Sequence, residues 1–396
     1  MKCEVAIVGG GPAGCFLGKL LAQEGLEVAI VEEHGEIGNP ACCTGIVGAS
    51  GMKKLGIRPG RWVLERLKRA VIFPPSGEQV EIGRGKLEAF VVDRAEFDRS
   101  MGTEAAEAGV NFLLKTRCVG VKLGKEQTLL LEGASGGELK TRLVVGADGP
   151  ASIVARAAGL NKPGGGVRCA QVECHADVPH GAAEVYLGQK FAPGFFGWAV
   201  RAGEVSRIGL GATEGNPVML LRSFLREHPI ISCKFSESRI LSSCAAPIPA
   251  PFSSKVCSDG VLLVGDAAGQ VKPLTGGGVY TGLSCARIAA PVVAEALRKE
   301  PSKKALQPYE RGIKKKFGME IELGLRARRA FCRLSDDDLN ALVELLGDED
   351  VRKIVSENFD FDDHGKLLRA LLVKAPGILR KVGAKRLLRV ARLFLG

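Results

Sequence analysis

The chain opens with a short apolar run, Val5-Ala6-Ile7-Val8, then a glycine-rich turn, then an apolar-periodic stretch from about Pro12 to Glu24. A second apolar run, Glu27–Val31, follows. Short apolar runs bounded by turn formers predict strands, and the longer periodic stretch between them predicts a helix. Strand, glycine turn, helix, strand is a βαβ unit, whose two strands are parallel. Residues Arg94–Ala108 predict another helix, stopped at Gly109. Shorter strands are expected around Phe112–Leu123, Thr128–Glu132 and Leu139–Val145.

The pattern changes over residues 167–213. Val167–Ala176, Ala183–Leu187, Phe195–Arg201 and Ser206–Gly211 are short, partly alternating apolar runs with Gly and Pro between them. They predict an antiparallel sheet inserted into the first fold. From Val261 a buried-type strand returns, followed by a turn and a helix from about Gly277 to Lys299; beyond Pro301 nearly everything reads as helical. The pattern contains no internal repeat and no low-complexity tract. It predicts an α/β chain (α+β overall) in three parts. A discontinuous nucleotide-binding domain takes residues 1–70, 93–165 and 250–300. A β-sheet substrate domain takes 71–92 and 166–249, and a helical C-terminal region takes 301–396.

Composition narrows this only in part. The 396 residues exceed one ordinary core, and 46% hydrophobic with 25% charged residues is a globular profile. The net charge of +11 favours an anionic partner: a phosphate-bearing cofactor, an anionic lipid surface or nucleic acid. There is no apolar h-region with a cleavage site, so no secretory signal is expected, and no apolar run reaches the roughly 20 residues of a membrane span. The expected location is therefore cytoplasmic. Twelve cysteines without any Cys-x-x-Cys pair predict reduced, buried thiols and no metal centre.

The candidate chemistry begins at Gly9-Gly10-Gly11-Pro12-Ala13-Gly14. Gly9 permits the tight turn, Gly11 lets backbone approach a pyrophosphate, and Gly14 allows close packing of helix on strand. The helix N-terminus then offers unpaired N–H groups and partial positive charge to phosphate. Glu32 lies eighteen residues past Gly14, at the end of the second strand, where an acid accepts hydrogen bonds from ribose hydroxyls. Two further strand ends matter: Val144-Val145-Gly146-Ala147-Asp148-Gly149, and Val261-Leu262-Leu263-Val264-Gly265-Asp266 with Pro273-Leu274-Thr275-Gly276-Gly277-Gly278 beyond it. Asp266 at a strand's carboxyl end suits a ribityl hydroxyl. The Gly276–Gly278 backbone, opening a helix, suits the electron-rich edge of a flavin. The alternatives are a helix cap for Asp266 and a surface charge for Arg94.

These segments, in this order, resemble the para-hydroxybenzoate hydroxylase type of FAD enzyme, which makes the expected first domain a Rossmann-type FAD-binding domain. The resemblance implies that Arg94 lies near the pyrophosphate. It also implies cofactor contacts for Ala13, Glu33, Cys43, Val119, Asp148, Gly265 and Pro273. No second glycine motif opens a nicotinamide domain, so the electron donor, NAD(P)H or a ferredoxin-like protein, docks transiently.

Within that type the chain resembles the geranylgeranyl reductases over about residues 3–331. Pro40-Ala41-Cys42-Cys43-Thr44-Gly45 matches a Cys-x-Gly element near the flavin, which implies catalytic roles for Cys43 and Gly45. Ala192-Pro193-Gly194-Phe195-Phe196-Gly197-Trp198 resembles a Pro-x-x-Tyr-x-Trp element, which implies a substrate cavity at Phe195, Phe196 and Trp198. Tyr309-Glu310-Arg311, with Phe317-Gly318 in the helix after it, is a third match. Phe196 stands where the family has Tyr, and Val200 replaces a common aromatic. Core packing remains an alternative for the aromatics, and burial as small hydrophobes remains one for Cys42 and Cys43.

The resemblance implies FAD-dependent saturation of geranylgeranyl chains, of archaeal-type membrane lipids, by hydride transfer. Other flavin chemistries stay open: a monooxygenase of a small aromatic, or a non-catalytic electron carrier. A halogenase is disfavoured because there is no Trp-x-Trp-x-Ile element. After Asp363 the chain has nine Lys and Arg and no acid: Lys366, Arg369, Lys374, Arg380, Lys381, Lys385, Arg386, Arg389 and Arg392. With leucines and valines at helical spacing between them, this tail either lies on an anionic membrane surface or packs on the protein with a basic outer face. No nucleic-acid module accompanies the charge, so no nucleic-acid partner is expected.

Overall fold

The computed structural model describes residues 1–374, apart from 161–165, 236–238, 253–254, 364, 368 and 372. The chain begins with β1 (Lys2–Val8), α1 (Pro12–Gln23) and β2 (Val28–Val31). Next come β3 (Ile46–Gly48), α2 (Ala49–Lys54), β4 (Val63–Leu67), β5 (Arg69–Phe73), β6 (Val80–Gly83) and β7 (Ala89–Val92). The chain continues through α3 (Arg94–Glu107), β8 (Asn111–Leu113), β9 (Thr116–Lys122), β10 (Gln127–Gly133), β11 (Gly137–Gly146) and α4 (Ile153–Ala157). Strands β12 (Val167–Cys174), β13 (Ala182–Tyr186), β14 (Gly197–Ala202) and β15 (Val205–Ala212) lead to α5 (Pro217–Glu227), α6 (Pro229–Phe235) and β16 (Ile240–Ile248). The last elements are β17 (Cys257–Ser258), β18 (Val261–Leu263), a 3-10 turn at Gly265–Ala268, α7 (Val279–Leu297), α8 (Lys303–Phe331), α9 (Asp336–Gly347) and α10 (Glu349–Asn358).

Two compact units divide these elements. The first contains Met1–Ala41, Arg94–Gly165 and Ile248–Gly318. Its sheet runs β17-β18-β11-β1-β2-β8, with β10 and β9 extending antiparallel from β11. From β18 to β8 the neighbours are parallel. Val5–Val8 lies between Leu143–Gly146 and Val28–Val31. These runs are almost wholly buried, as expected for central parallel strands covered on both faces. Helix α1 packs against α3 and α7. The chain leaves β1 for β2 on one side and later returns as β11 on the other. That reversal opens a crevice at the strands' carboxyl ends, where ligands bind in sheets of this kind.

The second unit contains Cys42–Asp93, Gly166–Pro247 and Met319–Gly396. Its main sheet has the order β16-β12-β15-β14-β13-β5-β6. It is antiparallel at the pairings from β12 to β13 and at β5 with β6, but β13 and β5 run parallel. Helix α5 covers it, burying Leu221, Phe224 and Leu225 against Ala170, Val172, Ile208 and Leu210. A smaller antiparallel sheet, β3-β7-β4, pairs Ile46–Gly48 and Val63–Leu67 with Ala89–Val92. Helix α8 begins in the first unit and enters the second at Met319. Helix α10 places Val351 and Val355 on Ile82 of β6.

Three expectations need correction. The strand expected from Phe195 begins only at Gly197, because Gly194 turns at φ +67° and Phe195 N–H bonds Ala192 C=O. Strands also occupy residues 46–70, where the first domain was expected, and residues 42–70 belong to the second unit. The cysteines are neither all reduced nor all buried. Cys42, which is exposed, forms a disulfide with Cys244 across a Cα–Cα distance of 5.8 Å, and Cys233 and Cys332 are exposed thiols.

Candidate functional site

In the first unit, four candidate segments meet at the carboxyl ends of parallel strands. Ala147 N–H bonds Val8 C=O at 2.8 Å, Gly9 N–H bonds Val31 C=O at 2.9 Å, and Val264 N–H bonds Gly146 C=O at 2.9 Å. These three bonds tie the ends of β1, β2, β11 and β18 together. Gly9 turns at φ +103°, and a Cβ there would stand 2.3 Å from Ala147 O; one at Gly14 would stand 2.2 Å from Gly9 O. Both glycines are required by the protein's own packing. Gly11 differs: its φ of −70° suits any residue, and a Cβ there would meet no protein atom within 4 Å. It is the N-cap of α1 without any side-chain cap, so the first N–H groups of α1 face outward beside bare backbone. That arrangement suits an anionic group.

Glu32 is nearly buried at the end of β2. Its Oε2 accepts Gly10 N–H at 2.7 Å, and its Oε1 accepts His34 N–H at 2.9 Å. A carboxylate has about four acceptor positions, so capacity for a hydroxyl remains. Glu33 is exposed and pairs with Arg117 at 3.4 Å. Val119 lies on β9, more than a third exposed, next to Cys118, which is within electrostatic reach of Asp148. Asp148 Oδ2 accepts Ile153 N–H at 2.7 Å and so begins α4, while its buried Oδ1 has no hydrogen-bond partner. Burial raises this carboxyl above the usual carboxylate range.

At the end of β18, Gly265 turns at φ +66°, and a Cβ there would come 3.1 Å from that of Ala13. Burial raises the Asp266 carboxyl, and the nearby Arg94 guanidinium pulls it back down. Arg94 also grips Asp98 in a two-pronged ion pair at 3.0 and 2.9 Å. The glycine run lies beside Asp266, since a Cβ on Gly278 would stand 2.9 Å from its Oδ1. Gly278 caps α7 without a side-chain hydrogen bond. Pro273 is buried in the tight loop where Lys272 N–H bonds Gly277 C=O and Gly276 N–H bonds Lys272 C=O. Gln270 and Tyr309 fix this corner. Gln270 Oε1 accepts Gly265 N–H at 2.7 Å, its Nε2 donates to Tyr309 Oη at 2.8 Å, and Tyr309 donates to Leu263 C=O at 2.9 Å. The role of Gln270 was missed in the sequence, although a glutamine among buried alanines, glycines and valines is a signal.

The second unit gathers the other candidates. Gly45 turns at φ +80°, where a Cβ would meet Val92 O at 2.5 Å and Arg207 Nη1 at 2.6 Å. The buried Arg207 binds Glu173 at 2.9 Å, Thr44 C=O at 3.0 Å and Val92 C=O at 2.9 Å, so it pins this loop to β7. Cys43 Sγ accepts Gly45 N–H at 3.3 Å. Cys43 C=O accepts Gln171 Nε2 at 3.4 Å, and Gln171 Oε1 accepts Trp198 Nε1 at 3.0 Å. Gln171 thus joins the Cys-x-Gly loop to the aromatic element. Phe195 is buried and stacks on Phe196 at 4.1 Å, and Phe196 meets Trp198 edge-on at 6.3 Å. Cys169 lies within electrostatic reach of Cys43, and burial pushes its thiol up to about 12.

The first cluster offers two uncapped helix N-termini, bare glycine backbone and two desolvated carboxylates, which fit a phosphate-bearing dinucleotide with a hydroxylated chain. The second offers thiols, an amide relay and an aromatic wall, which fit an apolar substrate with a proton to receive. Among the described residues no cluster could hold a metal ion.

Residues 2–40 and 68–317 match the family described as an FAD binding domain. The chain is 33% identical to digeranylgeranylglycerophospholipid reductase 2 of Methanopyrus kandleri, over 96% of this chain and 98% of that one. A geranylgeranyl bacteriochlorophyll reductase-like protein of Thermoplasma acidophilum superposes with a TM-score of 0.86 at 24% identity, covering 96% of this chain and 98% of that one. The halogenase PltM, solved in complex with FAD, superposes with a TM-score of 0.69 at 16% identity, covering 93% and 85%. At these identities the two structures bear on the fold alone.

Proposed function

The chain belongs to the geranylgeranyl reductase family of FAD-dependent oxidoreductases, and from that premise we propose that it saturates double bonds in the geranylgeranyl chains of an archaeal-type membrane lipid. The observation that carries the substrate side is the hydrogen-bonded relay Cys43–Gln171–Trp198, which links two segments far apart in sequence.

In this proposal Gly9, Gly11, Ala13, Gly14 and the N-terminus of α1 take the cofactor pyrophosphate, with Arg94 nearby. Glu32 and Glu33 serve the ribose, beside Val119. Asp148 Oδ1, Gly265 and Asp266 accept from hydroxyls of the linking chain. Pro273 shapes the loop that presents the Gly276, Gly277 and Gly278 backbone. When bound and reduced, FAD supplies the hydride.

An isolated trisubstituted alkene is not polarised, so a proton must reach one of its carbons as the other is reduced. Cys43 is the proton donor or positioner in our proposal. Cys43 is a partly exposed residue whose sulfur accepts Gly45 N–H, which leaves its own S–H to be directed at a substrate. The Phe195–Phe196–Trp198 wall excludes water from that proton. Replacing Cys43 with Ser tests the assignment. FAD content should stay unchanged, while substrate-driven flavin reoxidation slows by a factor on the order of 100. Unchanged reoxidation removes Cys43 from the mechanism.

The electron donor, NAD(P)H or a ferredoxin-like protein, docks transiently in this proposal. No helix among the described residues is long and apolar enough to cross a membrane. Contact with an anionic surface is proposed for the basic tail, most of which, at residues 375–396, lies outside the described residues. Deleting residues 377–396 should reduce sedimentation with anionic vesicles, and undiminished sedimentation would refute the contact.

A further inference from the structure

Arg328, in the part of α8 that belongs to the second unit, is a partly buried cation. Its Nη1 is shielded from solvent and has no hydrogen-bond partner. The guanidinium carbon stands 4.7 Å from the centroid of the Phe195 ring. Burial lowers the affinity of this group for its proton, and the groups favouring its charge are the thiols of Cys332 and Cys169. Among the described residues no carboxylate pairs with it. A guanidinium held this way is costly unless an anion reaches it.

The surroundings indicate what that anion is attached to. From Arg328 a line of contacts runs through Phe195, Phe196 and Trp198 to Gln171 and Cys43. Phe195 is buried, so a ligand reaching from Arg328 toward Cys43 runs along the partly exposed Phe196 and Trp198, and is apolar along its length and anionic at one end. We propose that Arg328 binds the anionic end of the substrate, a phosphate ester carried by a prenyl chain, and so selects phosphorylated over neutral prenyl compounds. This rests on the prenyl-reductase reading above. A phosphate could belong to a glycerophospholipid headgroup or to a terminal prenyl phosphate, and both have the chemistry Arg328 needs.

Isothermal titration of the FAD-loaded enzyme with geranylgeraniol, geranylgeranyl phosphate and a digeranylgeranylglycerophospholipid tests this. Wild-type enzyme should bind at least one phosphate-bearing ligand about ten- to a hundredfold more tightly than the alcohol. Arg328→Gln should abolish that preference and leave the alcohol's Kd within about twofold, while Arg328→Lys should keep part of it. Tight binding of the phospholipid alone assigns the site to a headgroup diester, and tight binding of the prenyl phosphate alone assigns it to a terminal phosphate; either supports the proposal. Equal wild-type binding of all three, or a preference that survives in Arg328→Gln, overturns it and leaves the prenyl-reductase reading standing. If no prenyl compound binds the wild type, the reading and this proposal fall together. The wild-type preference can be measured even if the glutamine variant does not fold.

Discussion

Gly9, Gly11 and Gly14 share one motif but do different work, and their environments separate them. Alanine at Gly9 or Gly14 would press on backbone oxygen at 2.3 or 2.2 Å, so either change should lower the melting temperature by several degrees. Alanine at Gly11 meets no protein atom and suits its φ, so the apoprotein should melt as before. If Gly11 is kept bare for a pyrophosphate, Gly11→Ala should still weaken FAD retention about tenfold or more, measured by flavin release on dilution. Normal retention would refute the role we propose for it. At Gly45, with φ +80° and two blocked directions, Gly45→Ala should destabilise the enzyme by about 1–3 kcal/mol, measured by denaturant unfolding. The three glycine motifs were visible in the sequence because backbone demands of this kind select glycine. Gln171 and Arg207 were not picked out, because other polar residues, Arg168 and Glu173 in β12 and Ser206 in β15, share their strands. Arg328 gave no sign, since it sits among other basic residues in Arg326-Ala327-Arg328-Arg329.

At the scale of elements, the start of α6 is held by His228, a buried imidazole. The His228 ring nitrogen Nδ1 accepts the N–H groups of Ile230 and Ile231 at 3.3 and 3.4 Å, and the ring packs edge-on against Tyr186 and Phe224. Burial lowers its pKa from 6.5 to about 4. The unfolded chain therefore takes up a proton near pH 6.5, and the folded one only near pH 4. Stability held above pH 6.5 is lost as pH falls through that window, by on the order of 3 kcal/mol. His228→Asn keeps an acceptor for the two N–H groups but does not titrate, so its melting temperature should fall less between pH 7 and pH 4.5. Equal slopes would contradict the account. The buried parallel strands were legible because a four-residue apolar run between turn formers is too short for a helix and too apolar for a surface loop. Strands β3 and β4 were not, because β3 is only three residues long, Glu65 and Arg66 interrupt β4, and what holds both is pairing with β7. The Cys42–Cys244 bridge spans 202 residues, and local sequence offers no clue to it.

Across the whole molecule, each unit is assembled from three separated stretches of chain. The candidate residues of the first cluster were picked out because their motifs recur at the ends of strands, in an order that resembles known FAD enzymes. The candidate residues of the second cluster were picked out only through a family resemblance, since aromatics and cysteines at strand spacing serve equally well as core. The central claim is that this FAD-dependent oxidoreductase hydrogenates prenyl chains. Its most direct test is to purify the holoenzyme, reduce it anaerobically with dithionite, and add a geranylgeranylated phospholipid while recording the visible spectrum and the lipid mass. The account predicts return of the oxidised flavin band, with product heavier by one H2 for each double bond reduced. Flavin that stays reduced with the lipid, yet reoxidises with oxygen and yields a hydroxylated small aromatic, would contradict it.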